Sequence, residues 1–217
     1  VRVAERVGNR VLIQRYRGDL ADAMYFLGDL YDARQLFEDI LTQTSPEDDL
    51  VASWETQLRI ARIEIEEGRY DAAQQLMLPA NEAVQQMNIS YGTTLVLRQQ
   101  GYLAMLRNNA PAARQLLETC CQRAISSFFI EELAASLIGL AKIALAHDPV
   151  HAARQCGAYE GLIERFPVRI DRITASFHQT VRNDLPPAMQ ELTDTAAHIV
   201  QERITRVDFP NGHAAHD

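Results

Sequence analysis

Few residues in this 217-residue sequence have the type and spacing that chemistry demands. A phosphate-binding loop needs a glycine-rich turn ending in Lys-Ser or Lys-Thr, but the sole lysine, Lys142, stands in "GLAKIAL", inside a helical pattern. A metal site needs Cys, His and carboxylate ligands that converge. Cys120 and Cys121 are neighbours, so on a helix they point about 100° apart, and Cys156 takes a position that Leu36, Leu76 and Leu116 fill elsewhere. All three read as buried thiols acting as small apolar residues. His147 and His151 are four apart, yet Asp148-Pro149 between them breaks the helical geometry a pair would use, and His213 and His216 fall in the terminal tail. No serine occupies a Gly-x-Ser-x-Gly elbow, and Glu64, Glu66 and Glu67 read as a solvated helix edge. The expectation is a protein that is not an enzyme, with no catalytic residues, no cofactor and no metal.

Composition narrows the class further. With 47% hydrophobic and 23% charged residues the chain can build a core. A net charge of −8 argues against nucleic acid as a direct partner, because phosphate binding needs a basic stripe. No apolar run reaches the ~18–20 residues that cross a bilayer, and "VRVAERVGNR" lacks the apolar centre of a signal peptide. Three cysteines suit a reduced compartment, so a cytoplasmic location is expected, without membrane contact. Val1 opens inside a helical pattern without an initiator methionine, which reads as a piece of a longer polypeptide.

What must position any functional group is a repeat. "DARQL" (32–36), "AAQQL" (72–76), "AARQL" (112–116) and "AARQC" (152–156) follow one another every forty residues. Ala33, Ala73, Ala113 and Ala153 coincide in that frame, as do Ala21, Ala61, Gly101 and Ala141, twelve residues earlier. Two small residues per period at a fixed offset predict two helices crossing closely. The turns between them are "GDLYDA" (28–33), "GRYDAA" (68–73), "NNAPAA" (108–113) and "DPVHAA" (148–153), rich in the residues that stop one helix and cap the next.

Between periods, Ser45, Pro46 and Asp48 form a capping signal, while 87–94 and 124–132 read as helix ends with a short bend. "GDLADA" (18–23) imitates a turn out of frame, and Gly18 is expected within or at the edge of a helix, at roughly 1 kcal/mol relative to alanine. Past residue 165 the frame is lost. A stripe of Ile173, Phe177, Val181 and Leu185 precedes Pro186-Pro187, and a last helix spans 188–205. The prediction is an all-α, right-handed superhelical solenoid of helical hairpins over 1–166, a capping helix pair over 167–206 and a disordered tail over 207–217.

The small residue, the turn, and the alanine five residues into the second helix resemble the tetratricopeptide repeat, although the period is longer than that family's 34 residues. Trp54 stands only once near the family's early aromatic. The Ala-Ala-Arg-Gln-Leu phrasing, with "HDPVHAARQCGAYEGLIERF" (147–166) and the helix pair after it, resembles the repeat arm of bacterial LuxR-type, maltose-activator-like transcription regulators and related signal-transduction ATPases. That resemblance implies a non-catalytic sensor or interaction arm that binds a protein, a peptide or a small-molecule inducer. ATPase and DNA-binding domains would lie elsewhere in such a parent.

Binding in such arrays falls on the concave side, which first helices line. One place after the small residue the four periods carry Asp22, Arg62, Tyr102 and Lys142; Tyr25, Glu55, Glu66 and Arg98 share that side by helical spacing. These eight are the candidate binding residues, with Arg62 the natural one to mutate. The alternative function is self-association into a homo-oligomer through an open apolar end near Val3, Val7 and Leu12.

Overall fold

The computed structural model describes residues 9–44 and 50–205. Val3 and Val7, the Ser45-Pro46-Asp48 signal, His213, His216 and the 207–217 tail lie outside the described residues. Those described form ten α-helices and a single 3-10 turn, with no strand among them. They run α1 (Arg10–Leu27), α2 (Leu30–Gln43), α3 (Leu50–Glu66), α4 (Tyr70–Gln86), α5 (Ser90–Leu106), α6 (Ala110–Ser127), α7 (Ile130–Ala144), α8 (Pro149–Arg165), α9 (Arg172–Asp184), the 3-10 turn (Pro187–Met189) and α10 (Gln190–Thr205). The predicted all-α hairpin repeat is therefore the observed fold. No helix among the described residues is long and apolar enough to cross a membrane.

Helix ends explain the spacing. Gly28, Gly68, Asn88, Asn108 and Phe128 all have positive φ, between 53° and 95°. Each closes a helix with the same reach-back: Asp29 N–H donates to the Met24 carbonyl at 3.0 Å, Arg69 to Glu64 at 2.8 Å, Ile89 to Val84 at 3.0 Å, Asn109 to Ala104 at 2.8 Å and Phe129 to Ala124 at 2.9 Å. This is the left-handed cap that satisfies the last carbonyls of a helix, and glycine or asparagine adopts it most cheaply. The short bends expected at 87–94 and 124–132 are thus caps of the same kind. Asp148 differs, with φ −144°; it accepts from the His151 N–H at 3.0 Å and is followed by Pro149 in the first turn.

Small residues set the crossings. Ala21, Ala61, Ala141 and Ala33, Ala73, Ala113, Ala153 are completely buried. A side chain on Gly101 would come within 2.8 Å of Leu117 across the α5–α6 hairpin. In the first three hairpins the large buried residue follows the repeated phrase: Phe37, Met77 and Leu117 are at most 2% exposed, whereas Leu36, Leu76 and Leu116 are half-buried. Each such burial contributes about 1.5–3 kcal/mol. Gly18 lies within α1 with open space around it.

The chain divides into two compact units. The first comprises the described residues up to Phe129 together with Asp171–Ile173; the second comprises Ile130–Ile170 and the described residues from Thr174 onward. In the second unit, Phe177, Val181 and Leu185 are buried as the stripe predicted. On α10 polarity and burial are inverted: Ile199 is exposed, while Thr193 is buried. The reason is proximity. A Cβ on Gly157 would stand 2.2 Å from the Thr193 carbonyl oxygen, and on Gly161 2.6 Å from that of Ala197. α10 therefore lies backbone-to-backbone on α8, where large side chains cannot fit.

Candidate functional site

In the first unit the candidate row is a closed network. Asp22, only 6% exposed, accepts from Arg59 Nε at 3.0 Å and from Arg62 Nη2 at 2.9 Å. Arg59 also reaches Glu55, at 3.2 Å. Burial works against the Arg59 charge, but Asp22 and Glu55 more than offset it and hold its pKa above the ordinary value. The Arg62 guanidinium lies 3.7 Å from the centre of the Tyr25 ring, a cation–π stack. Tyr25 is fully buried and donates its hydroxyl to Glu66, whose other oxygen accepts from Arg172 Nε at 2.9 Å. Burial pushes the Tyr25 hydroxyl far above its ordinary pKa, with Arg62 opposing. Arg98 and Asp171 form a buried ion pair, and the Arg98 guanidinium is 5.8 Å from the centre of the buried Tyr102 ring.

This corrects the expected binding row. Asp22, Tyr25, Arg98 and Tyr102 are buried, Arg62 is engaged on both sides, and Glu66 is spanned by Tyr25 and Arg172. A buried charge must be paired or expelled, so a row of charges on close-packed helices satisfies itself before it meets a ligand. Glu64 is corrected too: it is 1% exposed, not solvated, and is paired with Arg34 at 3.0 Å and with Arg69. Glu55, half-buried, borders a cleft of about 410 Å³ lined also by Val11, Arg15, Asp19, Val51 and Arg59. Lys142 belongs to the second unit, its Nζ 5.2 Å from the centre of the Phe177 ring.

The second unit holds a cluster that residue spacing did not single out. Glu160 Oε1 lies 2.7 Å from His178 Nε2 and 3.7 Å from the Cys156 sulfur. Arg182 donates to both Glu160 oxygens at 2.6 Å and to Asp194 at 3.0 Å. Burial disfavours the Glu160 charge, but the hydrogen bonds from His178 and Arg182 outweigh it and hold the carboxyl below its usual range. Burial, reinforced by the Glu160 carboxylate, pushes the Cys156 thiol up to about 12. The His178 ring leans on Tyr159, centroids 4.8 Å apart. Cys120 is buried as expected, Cys121 half-buried, and His147 and His151 are exposed.

Residues 16–155 match the family described as the suppressor of spindle checkpoint defect 1 C-terminal domain, over more than half of the sequence. The chain belongs to this family. Among solved structures it is similar to BtubC (BKLC) from P. vanneervenii, with a TM-score of 0.61 at 14% identity, covering 100% of this chain and 90% of that one. That likeness shows the fold alone. No curated protein matches the sequence significantly. These findings overturn the resemblance to LuxR-type, maltose-activator-like regulators, and the bacterial transcription-regulator reading falls with it. The physical reason is that Ala-Ala-Arg-Gln-Leu records a helix crossing. Any hairpin repeat with this geometry needs the buried alanine, so the phrase specifies a fold and not a parent.

Sequence reading also missed Arg59, Asp171, Arg172, Glu160, His178 and Arg182. For the second cluster one signal was present: Cys156 stands where the other repeats carry leucine, and an acid follows four residues later on the same helix face. The partners from α9 come from outside the repeat frame, where no periodicity could place them.

Proposed function

We propose that this chain is a non-catalytic protein-binding module that takes a peptide segment of its partner into the α1–α3 cleft. The observation that carries the reading is the cleft lining. Arg15 and Asp19 are exposed there beside Val11, itself 66% exposed, and Val51. Charges of both signs next to apolar side chains fit a peptide better than a drug-sized apolar ligand, whose sites are mostly hydrophobic. The helical-repeat architecture and the net charge of −8 favour a protein over nucleic acid. From the family's description we carry over no activity.

A peptide array probed with the full chain, followed by affinity measurement, tests this. Binding should weaken at least about tenfold when both cleft charges are reversed in Arg15→Glu/Asp19→Arg, since each reversal turns an attraction into a repulsion. Undiminished affinity in that variant, or no peptide bound at all, refutes the cleft. Arg62→Glu is a poor probe, because it breaks the bond to Asp22 and the stack on Tyr25 inside the core.

Self-association is a second reading, favoured by one observation. Tyr16, Leu20 and Leu27 line a single stripe of α1 and are 43%, 44% and 79% exposed, with Tyr31 at 74% just beyond the turn. Sedimentation at rising concentration decides it. A dimer that Leu20→Arg dissolves supports the stripe as its interface, and a monomer throughout removes this reading.

A further inference from the structure

We propose that Cys156, Glu160 and His178 form a binding site for a zinc-class divalent cation, with one thiolate, one carboxylate oxygen and one imidazole nitrogen as ligands. The three ligand atoms lie within 4.8 Å of one another. Two helices supply them: Cys156 and Glu160 share a face of α8, and His178 comes from α9.

Packing alone does not call for this arrangement. The positions equivalent to Cys156 in the other repeats carry half-buried leucines. Here instead a fully buried sulfur is directed at a carboxylate, 3.7 Å away. A mixed sulfur, nitrogen and oxygen set selects borderline metals, zinc above all, over the hard cations that need only oxygen. Three protein ligands leave a fourth position for water or an exogenous ligand.

The surroundings suit an ion. Glu160 and His178 keep 17% and 28% of their side chains exposed, giving an entry path, while Cys156 closes the inner end. An ion on Glu160 Oε1 leaves Arg182 its bond to Oε2, at 2.6 Å. Arg182 is held in turn by Asp194 at 3.0 Å and Gln190 at 2.5 Å. It would act as the outer partner that orients a ligating carboxylate. Charge balances as well: a divalent ion and Arg182 together match the thiolate, Glu160 and Asp194. The thiol must lose its proton on binding, as every cysteine ligand does.

The test is titration of the full chain with Co²⁺, a spectroscopic stand-in for Zn²⁺. Wild type should take up one ion per chain with the near-ultraviolet absorption of a cobalt–thiolate bond, and Zn²⁺ should bleach it. Cys156→Leu restores the residue that the other repeats carry and should abolish the band while keeping the far-ultraviolet circular dichroism of the fold. His178→Gln keeps the thiolate and should weaken Co²⁺ binding at least about tenfold, the scale on which even outer partners of a metal matter. The proposal is overturned by a wild type without the band, by a band that survives Cys156→Leu and so belongs to Cys120 or Cys121, or by undiminished affinity in His178→Gln.

Discussion

The same substitution, glycine to alanine, should have opposite signs at two places in this chain. Gly18 lies inside α1 with nothing within 4 Å of where a Cβ would go. Alanine there gains helix propensity alone, about 1 kcal/mol. At Gly157 the new Cβ would meet the Thr193 carbonyl oxygen at 2.2 Å and the Ala196 Cβ at 2.7 Å. A carbonyl oxygen has no rotamer to escape into, so α10 must move bodily. Overpacking costs about 1–3 kcal/mol, and the rigid neighbour places Gly157→Ala at the upper end. Subtracting the propensity gain leaves about 2 kcal/mol of net destabilisation, so the two variants should differ by about 3 kcal/mol. For a chain of this size that is a Tm a few degrees above wild type for Gly18→Ala and roughly twice as far below it for Gly157→Ala. Urea denaturation followed by circular dichroism gives both values, and amide exchange across Gln190–Thr205 should accelerate in Gly157→Ala alone. If Gly157→Ala proves as stabilising as Gly18→Ala, α10 is not seated on α8 and the close-packing argument is wrong.

Two further predictions concern the first unit. Arg98→Met takes the guanidinium away from Asp171, which is 5% exposed, and should cost about 3–5 kcal/mol in urea denaturation. Arg98→Met/Asp171→Leu should recover much of that loss; if it does not, the ion pair is not what the single variant breaks. Tyr25 sets a high-pH limit. Its folded pKa lies above the ordinary 10.0, so the unfolded chain loses that proton first. The contribution is complete below pH 10 and is lost as pH rises beyond it. Tyr25→Phe should lower stability by about 1 kcal/mol at neutral pH through the lost bond to Glu66, yet decline less steeply in alkali. Parallel stability curves for the two proteins would refute the assignment.

How much of this was legible in the sequence depended on whether a position repeats. Buried alanines, turn residues and the crossing glycine Gly101 recur because every hairpin solves the same steric problem, so the fold could be read from them. The Gly157 and Gly161 contact could not, since it faces a helix outside the frame. The candidate row misled for a more instructive reason. Asp22 and Arg62 occupy the same place in successive repeats, and in the structure they lie side by side at 2.9 Å. Tyr25 and Glu66, forty-one residues apart, are joined in the same way, as are Gln99 and the Leu58 carbonyl. Stacked repeats bring equivalent positions together, so identical charges there would repel, and an acid in one period requires a base in the next. Divergence along such a row is therefore the signature of complementarity between neighbouring repeats. A ligand-binding row would have to diverge at positions that do not touch their own equivalents, and Asp22 and Arg62, which do touch, fail that condition.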